Sequence, residues 1–105
     1  MEQDTGLKNI LKDNKGAVIY FYNTTCSSCT VLRPKVRSMV NQSFPGIIFH
    51  EINVEEHPEL TANASVYAAP TIVVYFEGKE TLRESRYISV SQLEGKIDRY
   101  YKMIF

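Results

Sequence analysis

The sequence predicts an α/β fold, a central mixed sheet of about four strands with helices on both faces. Three observations predict it. Ala17 to Tyr22 and Thr71 to Phe76 are continuous apolar runs without alternation, the pattern of strands covered on both sides. Stripes of helical spacing separate the β runs, and the last two β runs are joined by a tight turn, so strands and helices alternate before a hairpin. A chain of 105 residues, 44% hydrophobic and 23% charged, has an ordinary globular composition. It buries roughly two-thirds of its unfolded surface without needing staples. We therefore expect residues 1–105 to form one domain.

Taken in order, Leu7, Ile10 and Leu11 keep helical spacing, with Asp4 or Thr5 as the expected N-cap and Gly16 beyond the end. Ala17–Tyr22 is the first strand. Val31, Leu32, Val36, Met39 and Val40 form the next helical stripe, with Pro34 expected to kink it. Pro45-Gly46 punctuates, and Ile47–Val54 reads as the second strand. His57-Pro58 opens a short helix running through Leu60, Ala64 and Tyr67. Thr71–Phe76 follows as a strand, Gly78 as a turn, and Thr81–Ile88 as the hairpin partner. Leu93, Ile97, Tyr100, Tyr101 and Ile104 make the stripe of a last helix, capped by Ser89 or Ser91.

Composition also excludes classes of function. Net charge is +0, with no basic stripe for nucleic acid and no acidic tail. No stretch reaches the ~20 apolar residues of a membrane span. Met1-Glu2-Gln3-Asp4 lacks the basic start and apolar run of a secretory signal. The expectation is a cytoplasmic monomer that chooses partners by shape and local chemistry.

The chemistry concentrates in one motif. The only two cysteines form Cys26-Ser27-Ser28-Cys29, directly after a buried strand and at the start of a helix. At i and i+3 on a helix the two side chains share a face, with Cα atoms about 5–6 Å apart, within disulfide range. Unpaired N–H groups and the positive dipole end at a helix start favour a thiolate. Cys26, in the first turn, gains most and is the expected nucleophile. It attacks a substrate disulfide, and Cys29, one turn deeper, resolves the mixed disulfide. Ser27 and Ser28 add hydrogen-bond donors beside Cys26. Two alternatives stand beside this. The cysteines could be ordinary buried thiols, or they could join His50 and His57 in a zinc site, although one C-x-x-C with histidines seven apart fits no common zinc spacing. We expect no metal and no resident cofactor.

With Pro34 eight residues after Cys26, the Glu51-Ile52-Asn53-Val54 run, Ala69-Pro70-Thr71, the Tyr75-Phe76-Glu77-Gly78-Lys79 hairpin and Gln92-Leu93, the chain from about Ala17 onward resembles the thioredoxin family. The resemblance implies the thioredoxin fold, here without the family's extra N-terminal strand, since the residues before Ala17 hold no β run. It implies a thiol–disulfide oxidoreductase that reduces or exchanges disulfides of protein substrates in electron transport, regenerated by an NADPH-dependent thioredoxin reductase. It also implies a cis bond before Pro70, which faces the cysteines across a groove where the Ala69 backbone pairs with an extended substrate. Thr25, Ser27, Ser28, Ala69, Pro70, Arg86 and Tyr87 would line that groove.

Several positions depart from the family pattern. Thr25 stands where Trp is usual, Ser27-Ser28 where Gly-Pro is usual, and Arg86 or Tyr87 replaces a groove glycine. Tyr20 holds the place of a buried acid that relays a proton to the second cysteine, and Glu51 the place of that acid's Lys partner. One expectation is that the acid has changed strands, with Glu51 desolvated beneath Cys29, bonded to the Tyr20 hydroxyl and raised in pKa. The other is that Glu51 simply points outward from an alternate pleat position. A binding module or redox sensor built on the same groove is the alternative function, for which Arg86 and Tyr87 would suit a dedicated partner.

Overall fold

The computed structural model describes residues 2–24, 27–85 and 87–105, with the side-chain surroundings of 7–24, 31–85 and 87–105. Its elements are α1 (Glu2–Asp13), β1 (Gly16–Tyr22), α2 (Ser27–Ser43), β2 (Ile47–Asn53), α3 (Pro58–Asn63), β3 (Thr71–Phe76), β4 (Lys79–Ser85) and α4 (Val90–Ile104). The order is the expected one, and the sheet has four strands in the order β2-β1-β3-β4. β1 and β2 run parallel, joined by α2 as a crossover, while β3 is antiparallel to both β1 and β4.

Both central strands are covered on two faces, which is why their sequences do not alternate. Val18, Tyr20, Ile72 and Val74 pack beneath Val36, Met39 and Val40 of α2 and Leu93 and Ile97 of α4. On the opposite face Ala17, Ile19, Phe21, Val73 and Tyr75 meet Leu60 of α3, with Leu7 and Leu11 of α1 packed against them. Pro34 lies within α2. The β3–β4 hairpin turns on Glu77 and Gly78, both at positive φ (54° and 80°), as a two-residue turn matched to strand twist requires.

Four local expectations are corrected. Asp4 and Thr5 lie inside α1 and do not cap it, because the helix begins at Glu2. Val31 is 60% exposed and falls off the buried stripe that Leu32 and Val36 carry. β4 spans Lys79–Ser85 rather than Thr81–Ile88, since the two-residue turn starts pairing at Phe76↔Lys79. Tyr67 is not part of α3, which stops at Asn63 when Ser65 turns to a φ of 57°. Ser89 is the α4 N-cap, its hydroxyl accepting from the Gln92 N–H.

Candidate active site

Strand register sets which described segments share one end of the sheet. Phe21 of β1 pairs with Thr71, the first residue of β3, and Thr71 pairs with Ser85, the last of β4. Tyr22 pairs with Asn53 at the end of β2. The turn from β1 to α2, the segment before β3, the exit of β4 and the β2–α3 loop therefore share one edge. Thr25, Cys26 and Arg86 lie outside the described residues. Ser27, Ser28 and Cys29 form the first turn of α2, and their side chains also lie outside the description.

At the same end of the sheet, the Ala69–Pro70 peptide bond is cis. Thr71, buried, donates its hydroxyl hydrogen to the Ala68 carbonyl (2.6 Å), which closes the bend before the strand. Asn23, Val54, Pro58, Val66, Tyr67, Ala68 and Ala69 border an open pocket of about 310 Å³. Tyr67 and Tyr87 are 87% and 99% exposed at this end. The segment that leaves β1 is anchored from the neighbouring loop. The Thr24 N–H and hydroxyl both donate to Glu55 Oε1, at 3.2 and 2.7 Å, and these bonds hold the Glu55 carboxyl below its ordinary value. The Val54 N–H bonds to the Tyr22 carbonyl at 2.8 Å.

The expected place of Glu51 is corrected in detail. Its side chain does leave β2 on the α2 face, the face of Tyr20, but it lies at the sheet edge and is engaged by two cations. Arg33 Nε lies 3.0 Å from Oε2 and Arg37 Nη2 donates to Oε1 at 2.7 Å. Both guanidiniums also sit over aromatic rings, Arg33 at 4.2 Å from the Tyr22 centroid and Arg37 at 5.9 Å from that of Phe49. Both carboxylate oxygens are thus engaged by guanidiniums, and no hydrogen bond joins the carboxylate to Tyr20. The Tyr20 hydroxyl is buried without any hydrogen-bond partner among the described residues. Sequence reasoning missed Arg33 and Arg37. Their i, i+4 spacing on α2 was visible, but their meeting with Glu51 depends on how the crossover helix lies on the sheet.

His50 leaves β2 on the opposite face, and no cluster of three potential metal ligands occurs among the described residues. No helix among them is long and apolar enough to cross a membrane.

The chain matches the family model for Thioredoxin over residues 2–99. It is 32% identical to the thioredoxin-like protein YdfQ of Bacillus subtilis, covering 98% of this chain and 96% of that one. A mutant thioredoxin from Halobacterium salinarum superposes with a TM-score of 0.84 at 25% identity, over 92% of this chain and 84% of the other. Oxidised mitochondrial thioredoxin 3 from Saccharomyces cerevisiae superposes with a TM-score of 0.79 at 29% identity, over 90% and 88%. The architecture is the thioredoxin fold, and the chain belongs to the thioredoxin family.

Proposed function

We propose that the protein reduces or exchanges protein disulfides through a dithiol–disulfide cycle of Cys26 and Cys29. The family and fold imply thiol–disulfide oxidoreductase chemistry, and the observation that carries the finer reading is positional. Ser27, Ser28 and Cys29 open α2 at the sheet end where the bend at cis Pro70 also lies. In the reaction the Cys26 thiolate attacks a substrate S–S bond and one substrate thiolate leaves. Cys29, as thiolate, then attacks the Cys26 sulfur, the second substrate thiolate leaves, and the protein disulfide forms. The Ala69 backbone would hold the extended substrate by strand-like pairing. An NADPH-dependent reductase is the proposed electron donor, and disulfide-bearing proteins are the proposed substrates.

Turnover of insulin disulfides with dithiothreitol as donor tests this independently of the reductase. Cys26→Ser should abolish it, and Cys29→Ser should accumulate a substrate mixed disulfide visible by intact mass. Unchanged turnover in Cys26→Ser overturns the reading. A second reading, a groove for a dedicated partner gated by oxidation state, is favoured by the exposed Tyr67 and Tyr87 beside Pro70. Partner capture that differs between oxidised and reduced wild type, and no longer does so in a Cys26→Ser/Cys29→Ser variant, would favour it.

A further inference from the structure

β2 ends the sheet order β2-β1-β3-β4, so one side of its backbone meets no strand among the described residues. An open strand edge invites pairing with another chain, and such edges are commonly blunted by Lys, Pro or a bulge. β4, at the other edge, carries Lys79, Glu80, Arg83 and Glu84, and its pairing shifts register between Val74 and Tyr75. β2 has none of these devices. Its register with β1 runs unbroken from Gly16↔Ile47 to Tyr22↔Asn53. Its one carboxylate, Glu51, is engaged by Arg33 and Arg37 of its own chain, and Ile48 is 37% exposed.

The unused backbone groups can be read off residue by residue, because successive residues of a strand turn their N–H and C=O to alternate sides. The Val54 N–H bonds the Tyr22 carbonyl, so the backbone groups of Ile52, His50 and Ile48 also turn toward β1. Those of Ile47, Phe49, Glu51 and Asn53 turn outward. The Ile47 N–H is taken by the Phe44 carbonyl, and the Asn53 carbonyl accepts from the N–H groups of Glu56 and His57. What remains without a partner among the described residues is the N–H of Phe49, Glu51 and Asn53 and the C=O of Ile47, Phe49 and Glu51. These two sets mirror each other through His50. In an antiparallel copy centred there, 49 faces 51, 51 faces 49 and 53 faces 47, so every free donor meets a free acceptor.

We propose that two copies of the chain pair through their β2 edges, antiparallel and centred on His50, joining two four-stranded sheets into one of eight strands. The interface is isologous and closes on itself, in place of the monomer expected from sequence. Directly opposite residues share a face of the sheet. On the α2 face Phe49 meets the partner's Glu51. Arg37 already touches both residue types there, at 2.7 Å from Glu51 and 5.9 Å from the Phe49 centroid. On the other face Ile48 meets the partner's Ile52, and His50 meets its own copy. Centring the pair on Glu51 instead would set two carboxylates against each other, and centring it on Phe49 would pair fewer of the free groups. Because the strands run oppositely, the two candidate active sites lie at opposite ends of the joined sheet. The pairing does not depend on the dithiol cycle.

Sedimentation equilibrium at neutral pH, on reduced protein between about 10 μM and 1 mM, tests the association. The mass of wild type should rise from one chain toward twice 12.0 kDa. Ile48→Lys should hold the mass of one chain, because it sets an ammonium against the partner's apolar Ile52. Wild type that stays at one chain across the range overturns the proposal, as does a dimer that survives Ile48→Lys. Register is read by cross-linking in a Cys26→Ser/Cys29→Ser background. His50→Cys brings two thiols to a non-hydrogen-bonded pair with Cα atoms about 4.5 Å apart, within disulfide reach, whereas Ile48→Cys leaves them about 13 Å apart. Mild oxidation should link His50→Cys chains in pairs and leave Ile48→Cys chains single. Linkage of neither variant, or of both alike, overturns pairing centred on His50. If Ile48→Lys fails to fold, the wild-type mass and the two cysteine variants decide.

Discussion

His50 and Glu51 are adjacent on β2 and leave the strand by opposite faces, so their neighbours differ. Glu51 meets two guanidiniums. His50 is partly buried, and that burial lowers its pKa below the ordinary 6.5, with Glu51 partly opposing and His57 adding to the fall. A base with a depressed folded-state pKa contributes stability that is present above its unfolded pKa. That contribution is lost as pH falls from about 6.5 through the folded value. Urea midpoints should therefore decline as pH drops below about 6.5, and His50→Gln should flatten that decline. An equally steep decline in the variant would assign it to other groups. At this scale the sequence was partly legible. Cys26, Cys29 and Pro70 announce themselves by spacing and neighbours, whereas the fate of Glu51 turned on Arg33 and Arg37 arriving from another element.

Among the elements, α3 shows most clearly how a boundary escapes a one-dimensional reading. The apolar spacing through Ala64 and Tyr67 would carry the helix onward. Instead the Ser65 N–H bonds the Ala62 carbonyl and the Val66 N–H bonds the Thr61 carbonyl, both at 3.0 Å, with Ser65 at φ 57°. This is the paired closure of a Schellman motif, with serine where glycine is preferred. Arg83 of β4 completes it, donating to the carbonyls of Ala64 (2.6 Å) and Ser65 (3.0 Å) while Glu80 holds the guanidinium. Local signals cannot reveal a cap supplied from nineteen residues away. Ser65→Gly should raise stability by about 0.5–1 kcal/mol in denaturant unfolding, because glycine adopts that φ without strain. Arg83→Met should lower it by about 1–3 kcal/mol and speed amide exchange across residues 64–69, since it strips the hydrogen bonds from two carbonyls. Slower exchange, or none of these shifts, would separate Arg83 from the segment that leads into Pro70.

At the scale of the whole molecule, the proposed chemistry belongs to one end of a sheet whose stability comes from its two faces. The fold was readable because each central strand is a two-sided apolar run and each helix keeps one stripe, so period alone orders the elements. The shared edge of Asn23 and Thr24, Pro70 and Tyr87 followed only once strand pairing was known, because Phe21↔Thr71 and Thr71↔Ser85 join segments distant in sequence. Among the described residues, both buried clusters are built from the strands and helices behind that edge, and neither includes Asn23 or Thr24. Folding and function should therefore separate. Reduced wild type and Cys26→Ser/Cys29→Ser should show urea midpoints that nearly coincide, while the double variant loses disulfide reduction completely. Ile97→Ala, by contrast, empties a fully buried position on α4, and truncation there costs about 2–5 kcal/mol. Its remaining folded molecules should retain reductase activity, because the cavity lies under α4 and away from the sheet end. If the serine pair were destabilised as much as Ile97→Ala, the thiols would be core residues and the separation argued here would fail.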